Sequence, residues 1–102
     1  MRVIEHKMLN AIKSRKCMRC GNTEVCSDDN YSSVWLHNNK IAEIHNDCVV
    51  VMDAGWRTNT TKSRINAILR AYNLPTVYAK KYVWYVGDAK WHGSFLGELN
   101  NA

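Results

Sequence analysis

The sequence predicts an α+β fold: an antiparallel sheet of about five to six strands with two helices packed on one face, in the order α-β-β-β-β-α-β-β. Three observations predict it. Two segments carry apolar residues at helical spacing, Ile4, Met8, Ala11 and Ile12 in the first and Ile65, Ile68, Leu69 and Tyr72 in the second. Between them, Val34–His37 and Lys40–Ile44 flank Asn38-Asn39, and Asn tolerates the positive φ that a two-residue hairpin turn demands. Finally, Cys48-Val49-Val50-Val51-Met52 is apolar without alternation, as expected of a strand covered on both faces.

Taken in order, Val3 to about Lys16 is an amphipathic helix, with Leu9 beside its apolar stripe and Lys7, Asn10, Lys13, Ser14 and Lys16 outside it. Its cationic end agrees with the helix dipole. Asn22–Cys26 contributes β-formers at Thr23 and Val25. Ser27-Asp28-Asp29-Asn30 is a turn, the Asn38-Asn39 hairpin follows, and Asn46-Asp47 turns into the apolar strand. The second helix spans 61–72 and ends at Asn73-Leu74-Pro75, because Pro disfavours a helical residue before it. Thr76–Ala79 and Tyr82–Val86 read as strands joined through Lys80-Lys81 and closed by Gly87-Asp88. Residues 91–102 are weakly patterned and Gly-interrupted, which predicts fraying. The whole of 1–102 reads as one domain with its core in 3–86.

The chain is organised around Gly55-Trp56-Arg57-Thr58-Asn59-Thr60-Thr61-Lys62-Ser63-Arg64, which runs from the buried strand into the second helix. Asn59, Thr60 and Thr61 are three consecutive candidates to cap the helix start by accepting its unpaired N–H groups. Lys62 and Arg64 then fall in the first turn, where the positive end of the dipole favours acids. Free amides with cations bind phosphate or carboxylate, so the turn is a candidate anion or nucleic-acid contact. The plainer reading is a capped helix with solvated charges.

Hydrophobic content of 46% and charged content of 23% suit a globular protein. No apolar run reaches the ~20 residues needed to cross a membrane, and Met1–Lys16 lacks the form of a signal peptide. The expected location is therefore the cytoplasm. The net charge of +5 is unevenly spread: residues 1–19 carry +5, residues 20–53 carry −5 and residues 54–102 carry +5. Such a split presents a basic face to phosphates or acidic surfaces.

No Gly-rich phosphate loop, HExxH, GxSxG or paired-carboxylate motif is present, so no enzyme and no cofactor are expected. His6, His37, His45 and His92 read as surface or boundary residues, and the nearness of His45 to Cys48 falls at a hairpin corner. Cys17-Met18-Arg19-Cys20-Gly21 has the form of a zinc knuckle but lacks a matching second pair; Cys26 and Cys48 lie far apart. A small structural zinc domain is thus an alternative, weighed against reduced thiols, and no metal ligand is assigned. Basic and aromatic residues interleave at Trp56-Arg57, Arg70-Ala71-Tyr72, Tyr78-Ala79-Lys80-Lys81-Tyr82 and Lys90-Trp91-His92. That pattern suits a single nucleic-acid strand, with cations on phosphates and rings on bases. If four cations meet phosphates, log K should fall against log salt with a slope of roughly −3 to −4.

Gly21-Asn22-Thr23-Glu24-Val25, Leu36-His37-Asn38-Asn39 with Ile41-Ala42, Gly55-Trp56, Thr60-Thr61-Lys62-Ser63-Arg64-Ile65-Asn66-Ala67 and Lys80-Lys81 with Val83-Trp84-Tyr85-Val86 together resemble a group of small proteins encoded by tailed bacteriophages. The resemblance covers about residues 3–86, and the Thr-Thr-Lys-Ser-Arg-Ile-Asn-Ala run is its most specific part. It implies an infection-related role, early host takeover or counter-defence, and supplies no catalytic residues. Cys17 and Cys20 stand outside its pattern. The expected function is a non-enzymatic phage binding protein, a stoichiometric inhibitor or modulator of a host or defence complex that handles nucleic acid. Blocking a nuclease complex, as anti-CRISPR proteins do, or sequestering a nucleotide would both fit. Direct nucleic-acid binding is the alternative. The candidate partner- or anion-binding residues are Trp56, Arg57, Thr60, Thr61, Lys62, Arg64, Lys80, Lys81 and Trp84, and exposed aromatics leave a homodimer open.

Overall fold

The structure, a computed structural model, describes residues 1–99. Helix α1 (Val3–Ser14) leads into five consecutive strands, β1 (Met18–Cys20), β2 (Thr23–Ser27), β3 (Ser32–Leu36), β4 (Asn39–Ile44) and β5 (Cys48–Met52). Helix α2 (Asn59–Ala71) follows, then β6 (Val77–Lys80), β7 (Val83–Val86), β8 (Ala89–Lys90) and β9 (Ser94–Glu98). All pairings are antiparallel. The main sheet has six strands in the order β1-β2-β3-β4-β5-β9, and β6-β7-β8 form a separate three-stranded sheet. The α+β class and the six-stranded antiparallel sheet are as the sequence predicts. The composition of that sheet differs, because the late hairpin β6–β7 stands apart and β1 and β9 form the two edges instead.

Alternation along the strands builds one buried face. Val25, Val34, Ala42 and Val51 lie in one cross-strand row, and Ile44 pairs with Val49 and Val49 with Gly97 in another. Met8, Ala11 and Ile12 of α1 and Ile65, Ile68 and Leu69 of α2 join these residues in one core. The opposite face, including Glu24, Cys26, Trp35, Glu43, Val50 and Leu96, is partly or fully open to solvent.

Two local corrections follow from backbone geometry. The β3–β4 turn is His37-Asn38, both at positive φ, and Asn39 already pairs with Leu36. Such a shift by one residue would turn every later side chain of β4 to the wrong face. A bulge prevents this: Val34 pairs with Ala42 but Trp35 with Lys40, so Ile41 is the extra residue and both Ile41 and Ala42 are buried. The segment expected to fray is the second correction. Trp91 is fully buried and Ser94–Glu98 pairs along β5, while residues 100–102 of that expectation lie outside the described residues. The glycine in this strand has a packing reason, since a Cβ on Gly97 would come within 2.6 Å of Leu74 Cδ1.

Helix α2 begins at Asn59, two residues earlier than expected, so Arg64 falls in its second turn. Its N-cap is Thr58, in extended conformation, whose Oγ1 accepts the Thr61 N–H at 3.1 Å. Asn73, at positive φ, ends the element, with the Leu74 N–H returning to the Leu69 carbonyl.

Candidate binding surfaces

The Thr60–Ala67 run is largely spent on holding the fold together. Arg64 is only 3% exposed. Its Nη1 meets Glu5 Oε2 of α1 at 2.7 Å, its Nε donates to Thr23 Oγ1 at 3.0 Å, and its Nη2 donates to Asn22 Oδ1 at 3.4 Å. Ser63 Oγ donates to the same Glu5 oxygen at 2.6 Å. Burial acts to raise the Glu5 carboxyl, but the Ser63 hydroxyl, the Arg64 guanidinium and the Arg2 amide outweigh it and hold the group below its ordinary value. Asn66 clamps the start of β6, accepting the Val77 N–H at 2.7 Å and donating to the Val77 carbonyl at 2.8 Å. Thr61 is buried, with its hydroxyl on that of Thr58. Arg64 is therefore an internal tie, not an open contact residue.

The loop from β5 into α2 is pinned by Asp53. This buried carboxylate accepts the Gly55 N–H at 2.8 Å, Arg57 Nε at 3.0 Å and Trp91 Nε1 at 2.8 Å. Burial again pushes upward, and the bonds from Trp91, Gly55 and Arg57 leave Asp53 below the usual carboxylate range. Ala54 at φ 54° and Gly55 at φ 84° make the bend. Trp56 is thereby displayed at 62% exposure on the rim of a cavity of about 390 Å³. Leu36 and Ile41 form apolar wall, and His37, Asn39, Thr58 and Thr60 supply polar groups. The size lies within the range of small-ligand sites. Of the nine predicted residues, Trp56, Thr60 and Thr61 line this cavity, Arg57 is tied to Asp53 beside it, and Lys62 is half-buried on α2.

The other predicted residues lie on the small sheet, and strand alternation separates them. Trp84 points inward, 6% exposed, against Trp91 with ring centroids 6.0 Å apart. It belongs to the core. The outer face carries Tyr78 opposite Tyr85 and Tyr85 opposite Lys90. The two tyrosine rings stack at 5.6 Å with a 21° tilt, and Tyr78 Oη donates to the Gly87 carbonyl at 2.9 Å. Lys80 lies two residues along from Tyr78 on that face. The turn beyond it is Lys81-Tyr82, since Lys80 pairs with Val83. Both turn residues hold positive φ, 50° and 66°, and Tyr82 is fully exposed. For a bulky residue this conformation is costly, roughly 1–2 kcal/mol.

Three lysines, a stacked tyrosine pair and a projecting tyrosine thus share one small sheet. Sequence reasoning named Lys80 and Lys81 but missed Tyr78, Tyr85 and Lys90 as a face shared with Lys80. The period-2 pattern of Val77–Lys80 and Val83–Val86 carried that signal, because it sends Val77, Trp84 and Val86 one way and Tyr78, Lys80 and Tyr85 the other. Cys20 lies in β1 opposite Thr23, while Cys17 precedes the strand with its Sγ accepting the Ser27 N–H at 3.3 Å, so the two flank a strand rather than a knuckle turn. Among the described residues no group of three or more His, Cys, Asp or Glu could hold a metal ion, and no helix is long and apolar enough to cross a membrane.

Fold and surface together define a small α+β protein with a pinned, Trp-rimmed cavity and a basic, tyrosine-rich hairpin. The chain belongs to the Kyanoviridae Gp96 protein family, whose model matches residues 1–99, and it is a phage protein. No curated protein and no solved structure matches it.

Proposed function

We propose that the protein is a non-enzymatic binding protein acting stoichiometrically, during infection, on a host or defence complex that handles nucleic acid. In this reading it meets that complex through single-stranded nucleic acid. The supporting observation is the β6-β7-β8 sheet, whose outer face carries Tyr78, Lys80, Tyr85 and Lys90 and whose exposed turn carries Lys81 and Tyr82. Lysines neutralise phosphates and tyrosine faces stack on any base, so the face suits a strand without demanding a sequence. Left-handed Lys81 and Tyr82 add weight, because strain of this kind clusters at functional sites.

The test is fluorescence anisotropy of a labelled single-stranded oligonucleotide at several salt concentrations. Three lysine contacts on a single strand give a slope of log K against log salt of about −2. A flat response, or equal binding by Lys80→Glu/Lys81→Glu, would remove the reading. Nucleotide sequestration is a second reading, supported by the cavity beside Trp56. It predicts that adenosine monophosphate raises the melting temperature of the wild type but not of Trp56→Ala.

A further inference from the structure

We propose that Cys17 and Cys26 form a reversible disulfide across the β1–β2 strand pair when the protein meets a peroxide. The β1–β2 register pairs Met18 with Val25, Arg19 with Glu24 and Cys20 with Thr23. Cys17 lies one residue before β1, and continuing this register outward would set it opposite Cys26. The next step is held as well, since Ser27 Oγ donates to the Lys16 carbonyl at 3.1 Å. Cys17 Sγ itself accepts the Ser27 N–H at 3.3 Å. It also donates to the Ser27 carbonyl at 3.7 Å, so the Cys17 sulfur sits against the residue next to Cys26.

Directly opposed antiparallel residues have Cα atoms about 4.5–5.5 Å apart and side chains on one face. That separation lies inside the ~4.4–6.8 Å window of disulfides, and bridging would turn the Cys17 sulfur from the Ser27 backbone toward Cys26. Both thiols are exposed and both are reduced in this structure. Burial, the Glu24 carboxylate and Cys17 push the Cys26 thiol upward. The other two cysteines have no such partner geometry: Cys20 opposes Thr23, and Cys48 of β5 opposes Glu98 of β9.

The chemistry balances with hydrogen peroxide as the two-electron oxidant. The Cys17 thiolate attacks one peroxide oxygen, the O–O bond breaks, and Cys17 sulfenic acid and water form. The Cys26 thiolate then attacks the sulfenic sulfur, the S–O bond breaks, and the disulfide and a second water result. A thiol reductant reverses the bond by exchange. The bridge would close a loop of about ten residues and fasten the edge strand β1, next to the end of α1, onto β2. On the loop-entropy model this raises the folding equilibrium constant by up to about 100-fold.

The full-length protein is treated with hydrogen peroxide, its intact mass is measured with and without dithiothreitol, and it is then alkylated and peptide-mapped. The expected result is a monomer about 2 Da lighter, a Cys17–Cys26 cross-linked peptide, and Cys20 and Cys48 still alkylated. Dithiothreitol should restore all four thiols. Under the same treatment Cys26→Ser should retain Cys17 as sulfenic acid, trapped by dimedone, and the oxidised wild type should resist urea better than the reduced form. Equal alkylation of all four cysteines after oxidation would overturn the proposal. So would a cross-link that maps to another pair or between two chains.

Discussion

Replacing Arg64 by Met tests whether α2 is anchored from within. In the wild type the guanidinium lies 2.7 Å from Glu5, with both side chains 4% exposed, and it also reaches Thr23 and Asn22. Methionine keeps much of the volume but strands the Glu5 carboxylate with only the Ser63 hydroxyl and the Arg2 amide. Breaking a buried ion pair from one side costs about 3–5 kcal/mol. A domain of this size has a total stability of roughly 5–15 kcal/mol, so the loss is a large fraction of it. At roughly 4–8 °C per kcal/mol, the melting temperature should fall by at least about 12 °C. Urea denaturation at neutral pH measures this, with Glu5→Met and the double variant completing the cycle. The double variant should recover at least about 2 kcal/mol over either single change, because no uncompensated charge remains. If Arg64→Met costs under about 1 kcal/mol, the guanidinium is not held inside, and Arg64 returns as a contact residue.

Other outcomes follow from the same contacts. Glu5 and Asp53 are both held below their ordinary carboxylate values, so their contributions are present above the unfolded value near pH 4 and lost as pH falls through the folded values. Acid titration of stability should show this, with a shallower slope in Glu5→Gln. Asn66→Leu leaves the Val77 N–H and carbonyl without partners and should cost about 2–4 kcal/mol, with amide exchange quickening first in β6. Gly97→Ala forces a methyl group onto Leu74 and should cost about 1–3 kcal/mol in urea, with partial relief from Leu74→Val. Lys81→Asn/Tyr82→Gly relieves two left-handed residues, so it should raise stability by about 1 kcal/mol while weakening oligonucleotide binding.

Much of the fold is legible because local signals agree. The Val34–Ile44 hairpin combines β-formers with a turn tolerant of positive φ, and α1 and α2 each show one apolar stripe. The misses share a physical cause, which is pairing over long separations. Glu5 and Arg64 lie 59 residues apart, so nothing near Arg64 in the chain shows that its charge is already neutralised. The cations at the helix start therefore looked open, although one of the two is internal. β9 was hidden because Gly97, which weakens a strand by propensity, is needed there to admit Leu74. The turn at His37-Asn38 was displaced by one residue because the bulge at Ile41 that absorbs the shift has no local mark. On the small sheet the alternation carries the information, whereas the succession of basic and aromatic residues along the chain does not show which side each one faces.

The most direct measurement is oligonucleotide affinity of two charge-reversed proteins side by side, Lys80→Glu/Lys81→Glu on the hairpin and Lys62→Glu on α2. Hairpin reversal should abolish most binding and flatten the salt dependence toward zero, while the α2 variant binds about as the wild type does. Unchanged affinity in the hairpin variant, with loss in the α2 variant, would place the contact at the helix and contradict the assignment of this surface.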